Sequence, residues 1–580
     1  MGSFKSLSLI LGGLASLTAA LPSAAEDLER RGGYCENTPT SRRCWGNNDI
    51  DTDPTFFWPD TGVTRHYDFN VGYATLAPDG VEKQMMVVNG QYPGPTIEAN
   101  WGDNVEVRVC NYLPLNGTGI HFHGIRQLNT NYADGAVSQT ECPISPGDCH
   151  TYRWKATQHG TTWYHSHYSI QYGDGLLGPI VIHGPSTANW DVDLGPLLIT
   201  DHYHDSVFEL ARRPLVEGLG IPPVSPNGLM NGKNTYGLHG ERLELKFTKG
   251  KKHLLRLVNT GSELTFRFGI DNHKMTVIAA DLVPIQPYEA KTVLLAVGQR
   301  LDVVVEADQD IGDYWARGVP MLSCLALDLM RDQIRAIVRY DASSTAEPSW
   351  PSSSTWPFLD VCEDEDLKNL VPWHPHTVGP SAITKDFDAQ LLPWANDSFA
   401  LRWQVGGPAP YKPLKGNPVV KQLFDDPDLT NAAVPVNVTS DLIPIDLTHL
   451  QGKNWVYVVI ESFLPLPHPI HLHGHDSYVL ARGAGLFLDS IKELQLVNPP
   501  RRDTVNLPQN GFVVLAFETD NPGSWLLHCH IEWHLHNGFA MSMIERPKTE
   551  IKSVYQKEGA ESEMRRVCAA WNTSGLETRE

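Results

Sequence analysis

The chain has 580 residues, enough for three or four domains, and its 41% hydrophobic and 19% charged residues are ordinary for a globular protein with large cores. A formal charge of −21 argues against a nucleic-acid partner and is read as an acidic, solvated surface. Beyond the N-terminus no apolar stretch approaches the ~20 residues of a membrane span, so no membrane association is expected.

The opening residues, MGSFKSLSLILGGLASLTAALPSAA, carry one Lys, an apolar run from Leu7 to about Ala20, and then small residues. This layout predicts a cleaved secretory signal over 1–20, and Arg30-Arg31 offers a further propeptide cut at 31. Export favours cysteine pairing. The nine cysteines are an odd number, and Cys529 has another task, described below. Cys35, Cys44, Cys110, Cys142, Cys149, Cys324, Cys362 and Cys568 then suffice for four bridges, whose pairing the sequence alone leaves open. Asn-X-Ser/Thr acceptors at Asn116, Asn396, Asn437 and Asn572 fit a secreted glycoprotein.

The body of the chain reads as short strands and turns. Segments 105–110, 243–247, 254–258, 301–305, 455–460 and 513–517 are apolar or β-branched, and turns rich in Gly, Pro and Asn separate them. No long helical period competes, which predicts an all-β sandwich class. The clearest break runs from Asp341 to about Pro380; it opens with Ser and Pro, passes through an acidic CEDED, and reads as a linker.

An internal repeat organises the rest. Ile120-His121-Phe122-His123-Gly124 recurs as Ile470-His471-Leu472-His473-Gly474, and Gly160-TTWY-His165-Ser-His167 recurs as Gly523-SWLL-His528-Cys-His530. On a strand, each His-X-His pair presents both imidazoles on one face. Four pairs supply eight imidazoles, too many for one metal and suited to a cluster of three coppers clamped between the two copies.

The stretch Gly523–Phe539 faces two sites at once. His528 and His530 leave one side of the strand and Cys529 the other. A thiolate and imidazoles suit copper, so Cys529 with His534 and His468 makes a His2Cys centre. The matching places in the first copy hold Thr118, Ser166 and Gln171, which cannot rebuild that centre. Electrons are therefore expected to come in at His468, Cys529 and His534 and to leave at the cluster between the copies.

HFHG, HSH, HPIHLHGH and HCHIEWH, in this order and spacing, resemble the four signature segments of multicopper oxidases. NGQYPGPTIEANWGD, Asp134-Gly135, TECP and VIAADLVP are most similar to laccases of filamentous ascomycete fungi. The resemblance implies three cupredoxin-like Greek-key sandwiches at 65–188, 189–342 and 381–550, a linker at 343–380 and a C-terminal tail at 551–580. It implies four copper ions: a type 1 copper on His468, Cys529 and His534, a type 2 copper on His121 and His471, and a type 3 pair on His123, His165, His167, His473, His528 and His530. Bridges Cys35–Cys44, Cys142–Cys568 and Cys324–Cys362 follow from the same resemblance, leaving Cys110 and Cys149 to each other. The chain's Ser-Gly-Leu near its end resembles a processing point of such laccases.

The pairs His202/His204 and His374/His376 share the spacing but have no partner copy and match no ligand segment, so they are assigned no metal. His475 and His536 are read as neighbours of ligands or surface residues. By the same resemblance Phe539 takes the axial position of the type 1 copper, Asp134 supplies protons, and Glu263 receives the phenolic proton beside an exposed His534. Glu532 stands where alanine is usual, and LHNGFAM replaces the usual segment, so the phenol pocket departs from the ascomycete pattern. The expected activity is one-electron oxidation of phenols or aromatic amines coupled to reduction of O2 to water by a secreted monomer. Two alternatives are a phenol-coupling oxidase of pigment or secondary-metabolite synthesis and a ferroxidase.

Overall fold

Alternating burial along successive segments builds three pairs of β-sheets. The computed structural model describes residues 35–219, 221–324, 329, 333–349, 361–394, 397–405, 417–425, 445–488 and 493–576. The signal and propeptide readings, and the acceptors Asn396 and Asn437, lie outside the described residues.

In the first pair, one sheet orders Lys83–Val88, Thr64–Leu76, Asn104–Asn111 and Cys149–Lys155; the other orders Ile97–Asn100, Leu177–His183, Gly160–Ser166 and Ile120–His123. Val105, Val107 and Val109 point inward on alternate positions of one strand, and Tyr152 and Trp154 do so on its neighbour. With Phe122 they form the first core. A six-stranded and a five-stranded sheet follow between Val192 and Arg339, packed over Leu255, Leu257, Phe266 and Val303. Another such pair, from Ser381 to Glu545, packs over Val458, Ile460, Leu515 and Trp525. Parallel strand pairs recur at matching places: Thr64–Leu76 with Asn104–Asn111, and Ser381–Trp394 with Trp455–Ser462. The all-β sandwich expectation is met.

The C-terminal segment is more than a tail. Residues Lys548–Gln556 and Ala560–Thr573 are α-helices. Met564, Val567, Cys568 and Trp571 recur at three- and four-residue intervals, which puts them on one helical face. That face packs with Ile551, Val554 and Tyr555 onto Cys142 and Tyr168 of the first sandwich. The four bridges are Cys35–Cys44, Cys110–Cys149, Cys142–Cys568 and Cys324–Cys362, and Cys529 is free and buried.

Buried ion pairs lock the later sandwiches together. Arg502 reaches Asp281 at 2.9 Å and Asp364 at 3.3 Å, and Asp364 also accepts from Gln299 at 3.1 Å. Such pairs stabilise only when each charge is fully partnered, which these are. Among the described residues no helix is long and apolar enough to cross a membrane.

Candidate metal centre

The sequence repeat is a repeat in strand register. In the last sandwich His468–Leu472 pairs with Gly523–Cys529, setting Ile470 opposite Cys529 and His471 opposite His528. In the first, Ile120–His123 pairs with Gly160–Ser166, setting Ile120 opposite Ser166 and His121 opposite His165. Ser166 thus stands where Cys529 stands. The sheet's two-residue alternation then sends His528 and Cys529 to opposite faces.

The eight imidazoles meet between the first and last sandwiches. His121 stacks on His473 and His123 on His471, each with ring centroids 4.0 Å apart, so the two copies interleave. His473 Nε2 lies 3.2 Å from His528 Nε2, and His123 Nδ1 lies 3.1 Å from His530 Nε2. His167 completes the ring, 5.0 Å from His473 and 5.4 Å from His528 between centroids.

Outer hydrogen bonds decide which nitrogen faces inward. His121 Nδ1 donates to the Asp134 carbonyl at 2.7 Å, His165 Nδ1 to the Ser166 carbonyl at 3.0 Å, His471 Nδ1 to the Asp503 carbonyl at 2.8 Å, and His528 Nδ1 to the Cys529 carbonyl at 2.8 Å. His473 Nδ1 donates to the Asp134 carboxylate at 2.9 Å. His123 is reversed: its Nε2 donates to Asp503 at 3.1 Å, leaving Nδ1 inward. An imidazole whose outer N–H is engaged presents a lone pair at the other nitrogen, the arrangement metal ligands use. Nε2 of His121, His165, His167 and His471 is buried without a hydrogen-bond partner. Burial, then mutual repulsion, holds His123, His165, His167, His471, His473 and His530 well below the usual histidine range, so these rings stay neutral. The donor set fits a metal cluster.

On the other face of the strand, Cys529 Sγ lies 3.6 Å from His534 Nδ1 and 3.8 Å from His468 Nδ1, and the two nitrogens are 3.3 Å apart. His534 arrives there because the short helix Glu532–His536 turns the chain back after the strand. Burial pushes the Cys529 thiol well up and His534 down to about 3, so a soft cation is the partner that makes this sulfur a thiolate. Phe539 is fully buried, with its ring 4.8 Å from His468. In the first copy, Thr118 and Ser166 both donate to Gln171 Oε1, at 3.0 and 2.7 Å. Those three positions converge as a closed hydrogen-bond set.

One expectation needs correction. His534 is buried, 2% exposed, because Trp403 lies against it with centroids 4.6 Å apart. Trp403 also touches His468 at 4.8 Å and stacks on Phe539 at 4.9 Å. It comes from a strand remote in sequence and carries no motif that would have flagged it.

The carboxylates are placed as follows. Asp134 is buried, its Oδ1 3.3 Å from His121 Nδ1 in addition to its bond with His473. Glu263 is half-buried, and its Oε2 is shielded from solvent without a partner; burial, then Asp201, lifts its acid well above the usual range. Asp201 was not anticipated from sequence. It accepts from the amides of Ser262, Glu263 and Leu264 at 2.8, 2.7 and 3.0 Å, holding the turn that carries Glu263. Glu532 Oε2 accepts from the Ser262 hydroxyl at 2.7 Å, tying that turn to the helix of His534.

The remaining histidine pairs have other partners. His204 Nε2 lies 2.8 Å and His202 Nε2 3.9 Å from Asp79, His374 donates to the Ile50 carbonyl at 2.7 Å, and His376 pairs with Asp53 at 2.6 Å. His475 is buried against Glu545 at 2.9 Å, and His536 is half-buried.

Comparison with known proteins follows the same lines. Sequence models described as multicopper oxidase match residues 70–187, 193–343 and 415–549. Laccase-2 of Botryotinia fuckeliana is 41% identical over 559 residues, covering 93% of this chain and 91% of its own length. Dihydrogeodin oxidase of Aspergillus terreus is 40% identical over 594 residues, covering 96% and 94%. The crystal structure of the laccase from Botrytis aclada superposes with a TM-score of 0.85 at 40% identity, covering 93% of this chain and 98% of that one. Both the interleaved imidazole cluster and these matches along nearly the whole length lead to one conclusion: the chain belongs to the multicopper oxidase family.

Proposed function

We propose that this copper oxidoreductase is laccase-like, taking single electrons from phenols or aromatic amines and delivering them to O2. Family membership implies four coppers, one type 1, one type 2 and two type 3. In our reading His468, Cys529 and His534 hold the type 1 ion, His121 and His471 the type 2 ion, and His123, His165, His167, His473, His528 and His530 the type 3 pair. When bound, these ions accept electrons one at a time and reduce O2 to water with four of them.

The observation that carries the reading is covalent adjacency. Cys529 sits 3.6 Å from His534 on one face, while its neighbours His528 and His530 join the cluster on the other. From the sulfur a covalent path of a few bonds leads through the backbone to either neighbour, and electrons taken by an ion held at this centre would pass along it. Glu263, on the turn that Ser262 and Glu532 tie to the helix of His534, is the group we assign to receive the phenolic proton as the electron leaves, a task that needs its ionised form. Asp134, bonded to His473, provides protons at the cluster. Phe539 offers no donor atom, which favours the reduced ion and a high potential. Four disulfides suit an oxidising compartment, and we read the enzyme as secreted and monomeric.

A dedicated phenol-coupling role is a second reading. The 40% identity to dihydrogeodin oxidase fits this role, beside the 41% identity to Laccase-2, and the Trp403 cover over His534 would suit a shaped phenol. The test is anaerobic mixing with a phenol panel, followed by O2 uptake and product mass spectra. Phenols should bleach the blue absorption that a copper–thiolate centre on Cys529 would give, about four being consumed per O2, and Cys529→Ser should abolish both signals. No bleaching by any phenol, or faster bleaching by Fe(II), defeats the proposal; a single coupled product selects the dedicated role.

A further inference from the structure

A chain of ionisable groups outside the metal centre leads from the surface toward Asp134. Glu141 is buried, 2% exposed, and its Oε1 accepts the Tyr152 hydroxyl at 2.7 Å. Its Oε2 has no hydrogen-bond partner and lies 3.6 Å from His150 Nε2. The other nitrogen of that ring, Nδ1, lies 3.3 Å from Glu563 Oε1 on the helix Ala560–Thr573. Glu563 keeps 37% of its side chain exposed, so the chain of groups reaches solvent. The bridge Cys142–Cys568 staples that helix beside Glu141.

At the inner end the approach to Asp134 is through its neighbour Gly135. A Cβ at Gly119 would come within 2.7 Å of Glu141 Oε1 and 3.4 Å of the Gly135 carbonyl, so the carboxyl nestles between the strand of His121 and the residue after Asp134. Glycine at 119 leaves the acid that room. Burial, and the nearby charge of Asp134, lift the Glu141 acid to about 7, while His150 and Tyr152 oppose the rise. Tyr555, from the helix Lys548–Gln556, donates to Asn131 Oδ1 at 3.0 Å, and burial, then the charges of Asp134 and Glu141, raise its phenol. On the outer side, His150 and then Arg566 hold the Glu563 acid well below the usual carboxylate range.

A buried acid with one oxygen unbonded, next to an imidazole that touches a surface acid, is poorly suited to be a strut alone. A neutral amide or hydroxyl would fill the space at lower desolvation cost. Its groups are suited to passing protons between solvent and a dry interior.

We propose that Glu563, His150 and Glu141 form a relay that carries protons from solvent to Asp134. The proposal rests on the laccase-like reading above. In that reaction four phenols give up four electrons to the protein and four protons at the substrate face. O2 takes four electrons and four protons to become two waters. The relay moves protons only. His150 Nε2–H passes its proton to Glu141 Oε2 while Nδ1 takes one from solvent by way of Glu563, and Glu141 O–H passes its proton toward Asp134.

The test uses copper-loaded enzyme, reduced anaerobically with dithionite and then mixed with O2 in H2O and in D2O. Wild-type reoxidation should slow as pH climbs past about 7, where Glu141 loses its proton. Glu141→Gln still accepts the Tyr152 hydroxyl but carries no acid; it should slow reoxidation at least about tenfold and flatten that pH limb. His150→Gln should do the same, and Glu563→Gln, at the surface, should shift the limb without affecting folding. Infrared spectra supply a readout independent of turnover: a carboxylic C=O band titrating near neutrality should be present in wild type and absent in Glu141→Gln. Reoxidation at the wild-type rate in the Glu141 and His150 variants overturns the relay. Slowing that merely tracks lost copper and a lowered Tm overturns it too. Because reoxidation uses no phenol, failure of phenol to bleach the blue absorption sinks the laccase reading and leaves the relay result separately legible.

Discussion

At the scale of single residues, chemistry divides sharply between the two faces of one strand. Phe539 stacks on Trp403 and edges against His468 with nothing to donate to a metal. Phe539→Met brings a thioether to that place, and the expected outcome is a lower type 1 potential in a redox titration. Loss of ring packing should also cost on the order of 1–3 kcal/mol in stability, read from denaturant unfolding. Glu263 makes a different prediction. Glu263→Gln should lower kcat/KM for phenols about a hundredfold, yet leave an electron donor that releases no proton unaffected. Equal losses for both donors would assign Glu263 to packing. The proposed ligand residues were legible in the sequence because His-X-His and His-Cys-His are set by a two-residue strand repeat. Trp403 and Asp201 were not, since each meets its partners only through contacts between segments far apart in the chain.

At the scale of elements, the same strand pair is used twice with different outcomes. His471 opposite His528 and His121 opposite His165 give equivalent cluster halves, while Cys529 and Ser166 give a thiol beside two imidazoles and a closed hydrogen-bond set. The C-terminal helix is an element the sequence reading under-weighted. Its apolar residues are scattered among Glu and Arg, and only docking on the first sandwich reveals them as one face. Its tether is testable. Replacing Cys142 and Cys568 together by Ser should cost about 2–4 kcal/mol, seen as a lowered Tm, because the bridge closes a long loop in the unfolded chain. The type 1 blue absorption should persist, since Cys529, His468 and His534 lie in the last sandwich.

At the scale of the whole molecule, desolvated groups make stability depend on pH. His159 is buried beside Trp101, and burial lowers its pKa from 6.5 to about 3. The unfolded chain takes up this proton near 6.5 and the folded one does not. Its contribution is therefore intact above 6.5 and is lost as pH falls toward 3, with a slope of up to about 1.4 kcal/mol per pH unit. His159→Gln should flatten the acid limb of unfolding free energy against pH; an unchanged limb would place the proton uptake elsewhere. The trinuclear donor set is likewise a whole-molecule property, since His121 stacks on His473 across 352 positions of chain only when first and last sandwiches dock. Local sequence by itself determined the strand class, the duplicated His motifs and the one copy that retains a cysteine, because these depend on spacing within a few residues. Only the tertiary structure decided which imidazole nitrogen faces inward, what covers His534, and which buried acids approach the cluster. Those depend on hydrogen-bond partners and burial that come from sandwiches distant in sequence, and no local pattern encodes them.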